Sequence, residues 1–97
     1  MAMNMNEMLK KAKRLQEEAS LQEAEIQKKE FKVTKQGIEA VLLGSRKIKS
    51  LKINPALIDP EDPELVEDLV VLTINEGLAL IEEEYEELND KFSGLGF

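Results

Sequence analysis

FKVTKQGIEAVLLGSRKIKSLKIN, residues 31–54, decides the fold. Phe31, Val33 and Lys35 alternate with Lys32 and Thr34, a period of two that predicts a strand. Gln36-Gly37 then supplies a turn. Ile38–Leu43 is apolar at both parities, with Ile38, Ala40 and Leu42 on one face and Val41 and Leu43 on the other. Such a strand is expected to bury both faces. One helical layer covers one face, and in so small a chain a second copy of the protein is the expected cover for the other. Ile38, Ala40, Val41, Leu42 and Leu43 are therefore the candidate dimer-contact residues. Gly44-Ser45 turns the chain again, and Arg46–Asn54 reads as a third strand. There Lys47, Lys49, Leu51 and Ile53 oppose Ile48, Ser50 and Lys52, an imperfect alternation that leaves room for a bulge.

Upstream of these strands, Met5, Met8, Ala12, Leu15, Ala19, Gln22 and Ile26 recur at spacings of three and four with no Pro or Gly between them. This predicts a helix over about residues 4–29, nearly 40 Å long at about 1.5 Å per residue. Its thin, Ala-rich stripe suits a coiled-coil-like seam against another helix. Glu7 with Lys11 and Glu25 with Lys29 have the spacing and order of intrahelical ion pairs.

Downstream, Asn54-Pro55 ends the sheet and the segment Asp59-Pro60-Glu61-Asp62-Pro63 turns the chain. Asp62 is placed to cap a second helix that starts with Pro63, and Glu64, Glu67 and Asp68 complement its dipole. Leu65, Leu69, Val70, Thr73, Ile74, Gly77, Leu78, Ile81, Tyr85, Leu88 and Phe92 form its apolar stripe. Val66, Val71 and Leu72 widen that stripe early, so the first half is expected to be the more deeply buried. After Ile81 one stripe remains, so the two helices are expected to pair as a protruding antiparallel arm. The last residues, 93–97, contain two glycines and read as a mobile tail.

Charge divides the chain. Residues 1–52 hold 12 of the 13 Lys and Arg against 7 acids, a net of +5, whereas residues 53–97 hold one cation against 13 acids, a net of −12. The overall −7 conceals this asymmetry, and the basic part is where a polyanion could bind. Two clusters stand out as candidate DNA-binding residues: Lys10, Lys11, Lys13 and Arg14 on the first helix, and Arg46, Lys47, Lys49 and Lys52 around the third strand. Each has a plainer reading, as a solvated helix face or as lysines that protect a sheet edge from aggregation.

Other chemistry is poorly supported. With no His and no Cys there is no disulfide framework, thiolate metal site or nucleophile and base pair, so an enzyme is not expected and neither is a cofactor. The carboxylates of Glu82, Glu83, Glu84, Glu86 and Glu87 fan outward along a helix and form no metal site. No apolar run resembles a signal peptide or a membrane span, so a single cytoplasmic domain over residues 1–97 is expected, with no membrane partner and no small-molecule substrate.

The order helix, three strands, helix, with INPALIDPED at 53–62 and EDLVVLTINEGL at 67–78, resembles the YbaB/EbfC family of nucleoid-associated proteins. MLKKAKRLQE at 8–17 and Gly-Leu-Gly at 94–96 are supporting matches, and the resemblance covers nearly the whole chain. It implies an α+β fold, α-β-β-β-α with a three-stranded antiparallel sheet. It also implies a homodimer with projecting helical arms that binds double-stranded DNA with little sequence preference, in the bacterial nucleoid. The chain departs from the family pattern in its Leu43-Gly44 and in the scarcity of cations on its second helix. A competing reading is a protein-interaction or scaffold dimer that uses the acidic second helix and does not touch DNA.

Overall fold

The computed structural model describes residues 4–93. The expected tail therefore lies, apart from Ser93, outside the described residues. Helix α1 spans Met5–Lys28, strands β1, β2 and β3 span Glu30–Lys35, Ile38–Leu43 and Ile48–Ile53, and helix α2 spans Pro63–Phe92. The strands form one antiparallel sheet in the order β1-β2-β3, so the expected α-β-β-β-α architecture is present.

Local chemistry sets the boundaries. Asn4 caps α1, its Oδ1 accepting from the Glu7 N–H at 2.8 Å. Gln36 and Gly37 both have positive φ, 45° and 93°, as a two-residue hairpin turn matched to strand twist requires. Residues 44–47 connect β2 to β3, and among them Arg46 is left-handed at φ 68°. The Leu43 N–H donates across this turn to the Lys47 carbonyl at 2.8 Å. The expected bulge is found: Val41 pairs with Ser50 and Leu42 with Ile48, which leaves Lys49 as the extra residue of β3.

The start of α2 differs from expectation in one detail. Asp62 occupies the N-cap position but its side chain makes no capping bond. Asp59 does the local work, its Oδ1 accepting from the Glu61 N–H at 2.9 Å while its carbonyl accepts from the Asp62 N–H at 3.0 Å. Pro63 fixes the entry by its locked φ and its missing N–H.

Helix α2 lies on β1 and β2. Ile26, Phe31, Ala40, Leu42 and Ile81 form the core cluster, with Ile74, Leu78, Tyr85 and Leu88 packed on it. Thr73 is fully buried and satisfies its hydroxyl on the Leu69 carbonyl at 2.6 Å. Ile38, Ala40 and Leu42 are each 0% exposed beneath α2 of their own chain. They are core residues of their own chain. Val41 and Leu43 point to the other face and are half-buried. Lys32, opposite Val41 in register, pairs with Glu39 at 3.5 Å, and Glu30, opposite Leu43, pairs with Lys49. That face thus carries exposed ion pairs beside Val41 and Leu43.

The first half of α2 holds three of the helix's five buried residues, Leu69, Thr73 and Gly77, yet its widened flank is open. Leu65, Val71 and Leu72 are exposed, as are Ile48 and Leu51 of β3. The reason is width: α2 packs on two of the three strands, so among the described residues the third strand and the widened flank of the helix are left largely open. Asn75 is also exposed.

The C-terminal half of α2 runs antiparallel to α1. Lys29 Nζ meets Glu84 Oε1 at 2.6 Å, and Lys91 Nζ donates to Gln22 Oε1 at 3.2 Å farther along. The molecule is elongated, 72 × 18 × 13 Å.

Candidate nucleic-acid interface

Residues 5–14 of α1 are exposed throughout, and burial on this helix starts only at Leu15 and Ala19. Lys10, Lys11, Lys13 and Arg14 stand on that exposed stretch. At 3.6 residues per turn they occupy roughly half the helix circumference, so a cation faces outward over a broad range of approach directions. None of the four forms an ion pair among the described residues. The expected Glu7–Lys11 and Glu25–Lys29 pairs are absent there too. Lys29 reaches Glu84 on α2 instead, because a neighbouring helix brings a carboxylate within 2.6 Å without bending the lysine along its own helix.

The second cluster is built differently. Arg46 sits over the Tyr85 ring at 4.8 Å from the centroid, with Nη2 3.4 Å from Glu82 Oε2. Lys49 is engaged by Glu30. Lys47 and Lys52 are exposed and have no ion pair among the described residues. Since β3 is an edge strand, Lys49 and Lys52 stand along a sheet edge, with Arg46 and Lys47 in the turn that precedes it. Both partners of every ion pair here are at least 30% exposed, so each contributes little to stability and can be exchanged for a phosphate at small cost.

The two clusters are separate yet mechanically connected. Arg14 lies roughly 20 Å along α1 from Gln27, beyond the screening length of about 8 Å in physiological salt. At Gln27 the β2–β3 turn docks: Ser45 N–H donates to the Gln27 carbonyl at 3.1 Å, and Gly44 N–H to the Lys29 carbonyl at 2.9 Å. A Cβ on Gly44 would stand 1.7 Å from the Ile26 carbonyl oxygen, so only glycine allows this approach. Tyr85 donates its hydroxyl to the Gly44 carbonyl at 2.8 Å from the α2 side. Sequence reasoning placed Tyr85 in a stripe and Gly44 in a turn and did not connect them. The available signal was the chain's one tyrosine, set in an apolar stripe, whose hydroxyl needs a partner when the ring is packed.

Carboxylates dominate the remaining surface of α2. Glu76, Glu82 and Glu84 are paired with Lys35, Arg46 and Lys29. No group of three or more His, Cys, Asp or Glu among the described residues is placed to hold a metal ion. No helix among them is long and apolar enough to cross a membrane.

The YbaB/EbfC DNA-binding family matches residues 1–96. The chain belongs to the YbaB/EbfC DNA-binding family. A nucleoid-associated protein of Metamycoplasma arthritidis, MARTH_orf159, is 68% identical, with 94% of this chain and 96% of that protein covered. A nucleoid-associated protein of Mycoplasmopsis pulmonis is 49% identical over 89% of this chain and 86% of that one. The crystal structure of an uncharacterized protein from Helicobacter pylori, HP0035, has a TM-score of 0.69 at 21% identity, covering 98% and 100% of the two chains, and shows the same fold. Membership in YbaB/EbfC makes this a protein of a nucleoid-associated DNA-binding family rather than an enzyme.

Proposed function

We propose that this chain binds double-stranded DNA as a homodimer in the cytoplasmic nucleoid, with little sequence preference, through phosphate contacts. The observation that carries the reading is the set Lys10, Lys11, Lys13 and Arg14, four exposed cations on one stretch of helix with no ion pair among the described residues. Unpaired cations neutralise phosphates and release condensed counterions without first breaking an internal contact. Contacts of this kind position a protein on the duplex but carry no base information. Arg46, Lys47, Lys49 and Lys52 form the second contact set, with Lys47 and Lys52 available outright. The family and the names of its nucleoid-associated members support DNA as the polyanion.

The dimer is supported by uncovered apolar surface. Ile48, Leu51, Leu65, Val71 and Leu72 are 40–58% exposed at the sheet end of the molecule. Apolar surface of this extent suits a self-complementary contact around a two-fold axis. A pair joined there leaves both α1–α2 pairs projecting as arms, each with its own Lys10–Arg14 cluster.

The test is a mobility-shift titration of unrelated duplexes of equal length at several salt concentrations. Engagement of roughly 6 phosphates gives a log–log slope near −5 and an affinity loss on the order of 10³-fold between about 50 and 200 mM salt. A flat response, or unchanged binding after all four α1 cations become Gln, transfers the function to the acidic face of α2 and a basic protein partner.

A further inference from the structure

Three elements converge at the β2–β3 turn. The end of α1 accepts two of its backbone N–H groups, through the carbonyls of Gln27 and Lys29. From α2, Tyr85 uses both of its chemical faces on the same turn. Its hydroxyl donates to the Gly44 carbonyl at 2.8 Å, and its ring lies under the Arg46 guanidinium at 4.8 Å. Arg46 itself has a left-handed backbone, φ 68°, a conformation uncommon outside glycine that packing must hold in place. Glu82, one helical turn before Tyr85, takes one edge of the guanidinium at 3.4 Å. The Arg46 side chain remains about half exposed, so other donors of its planar fork stay open to solvent.

We propose that Tyr85 is a positioning residue for nucleic-acid binding. Tyr85 contacts no phosphate. It fixes the turn that carries Arg46 and Lys47 against the α1–α2 pair, and so sets the distance between the second cation cluster and the first. It also holds the Arg46 guanidinium in one orientation, which lowers the ordering cost of its contact with a phosphate. A filler residue at this place would need only the ring. The hydroxyl, aimed at a turn carbonyl 41 residues away in sequence, adds a constraint on geometry.

This inference rests on the DNA-binding reading above, and the experiment separates the two. The full chain is titrated with a mixed-sequence duplex of about 30 base pairs across a salt series, for the native sequence and for Tyr85→Phe. The same substitution is then made in two backgrounds: R46Q with K47Q, and Lys10, Lys11, Lys13 and Arg14 all changed to Gln. Tyr85→Phe keeps the ring and removes the hydroxyl. Helical circular dichroism is expected to stay unchanged, with affinity falling about three- to tenfold and the salt slope flattening by about 1, the signature of one fewer phosphate neutralised. The effect should vanish in the Arg46/Lys47 background, where the positioned charges are already gone, and persist in the α1 background. Equal effects in both backgrounds would mark a general structural role and overturn the proposal. So would unchanged affinity in a folded variant. Should Tyr85→Phe fail to fold, Arg46→Lys decides instead. It retains the charge on an exposed side chain but cannot reproduce the held fork, and is expected to bind at least threefold more weakly, whereas binding equal to the native chain overturns the idea. A native chain that binds no duplex at any salt concentration defeats the DNA reading and this inference with it, an outcome distinct from native binding without the coupling.

Discussion

Single atoms decide two features of this chain. Gly44 is the clearer, because its missing Cβ is the space through which the β2–β3 turn reaches the end of α1. The clashing atom in a Gly44→Ala variant is a backbone oxygen, which cannot swing aside as a side chain does. The turn must therefore withdraw and loosen its bonds to Gln27 and Lys29 together with the Tyr85 contact. A loss of about 2–3 kcal/mol is expected, from overpacking strain plus weakened hydrogen bonds. Urea denaturation checks it, and a midpoint equal to that of the native chain would contradict the docking. Thr73 gives the opposite case. Its hydroxyl is buried but bonds a carbonyl four residues back, an arrangement that slightly disfavours a helix, so Thr73→Val removes donor and need together. The same denaturation curve should move by less than about 1 kcal/mol. In the sequence, Gly37 could be understood in advance, since a short hairpin turn demands positive φ. Gly44 could not, because its requirement comes from a carbonyl 18 residues earlier in the chain, at Ile26.

At the level of elements, the helices and strands were readable because each is specified locally. Asn4 at the head of α1, Pro63 at the head of α2, the turn at Gln36-Gly37 and the period-two strands all act within a few residues of themselves. What sequence could not supply is coverage. Ile38, Ala40 and Leu42 are interior because α2 crosses β2, while Ile48 and Leu51 stay exposed because the same helix stops short of β3. Lysine partners were equally illegible. A flexible side chain takes whichever carboxylate the fold brings near, so Lys29 left Glu25 for Glu84. These differences in coverage predict a gradient of local stability. Amides of Ile38, Ala40 and Leu42 should exchange at rates near the global limit, whereas residues 5–14 of α1, exposed along their length, should exchange close to the rate of an open chain. Exchange by mass spectrometry or NMR reads this directly. Protection of residues 5–14 equal to that of β2 would mean that something covers that part of α1 in solution.

Across the whole molecule, opposite ends have opposite needs. Among the described residues the far end of α1 carries positive charge without ion pairs, and the sheet end carries exposed apolar side chains on β3 and the first half of α2. The homodimer reading joins them: association at the sheet end doubles the number of cation clusters offered to one duplex. The choice of substitution matters, because a charge placed in the core and a charge placed on the contact have different consequences. Leu42→Asp buries an unpaired carboxylate at a position 0% exposed and should unfold the chain outright. Val71→Glu with Leu72→Glu alters side chains that are 58% and 51% exposed in one chain, so the protomer's own core is untouched. The doubly substituted chain is expected to keep its helical circular dichroism while sedimenting as a monomer at micromolar concentration. Its salt slope on DNA should then fall to about half that of the native chain, since half the phosphates are engaged, and its affinity should fall with it. Sedimentation as a dimer of unchanged stability would place the contact elsewhere, with Leu43→Asp on the opposite sheet face as the next variant to examine. A monomer that retained the full native slope would show that one protomer makes all the phosphate contacts, and the doubling argument would fall even though DNA binding stood.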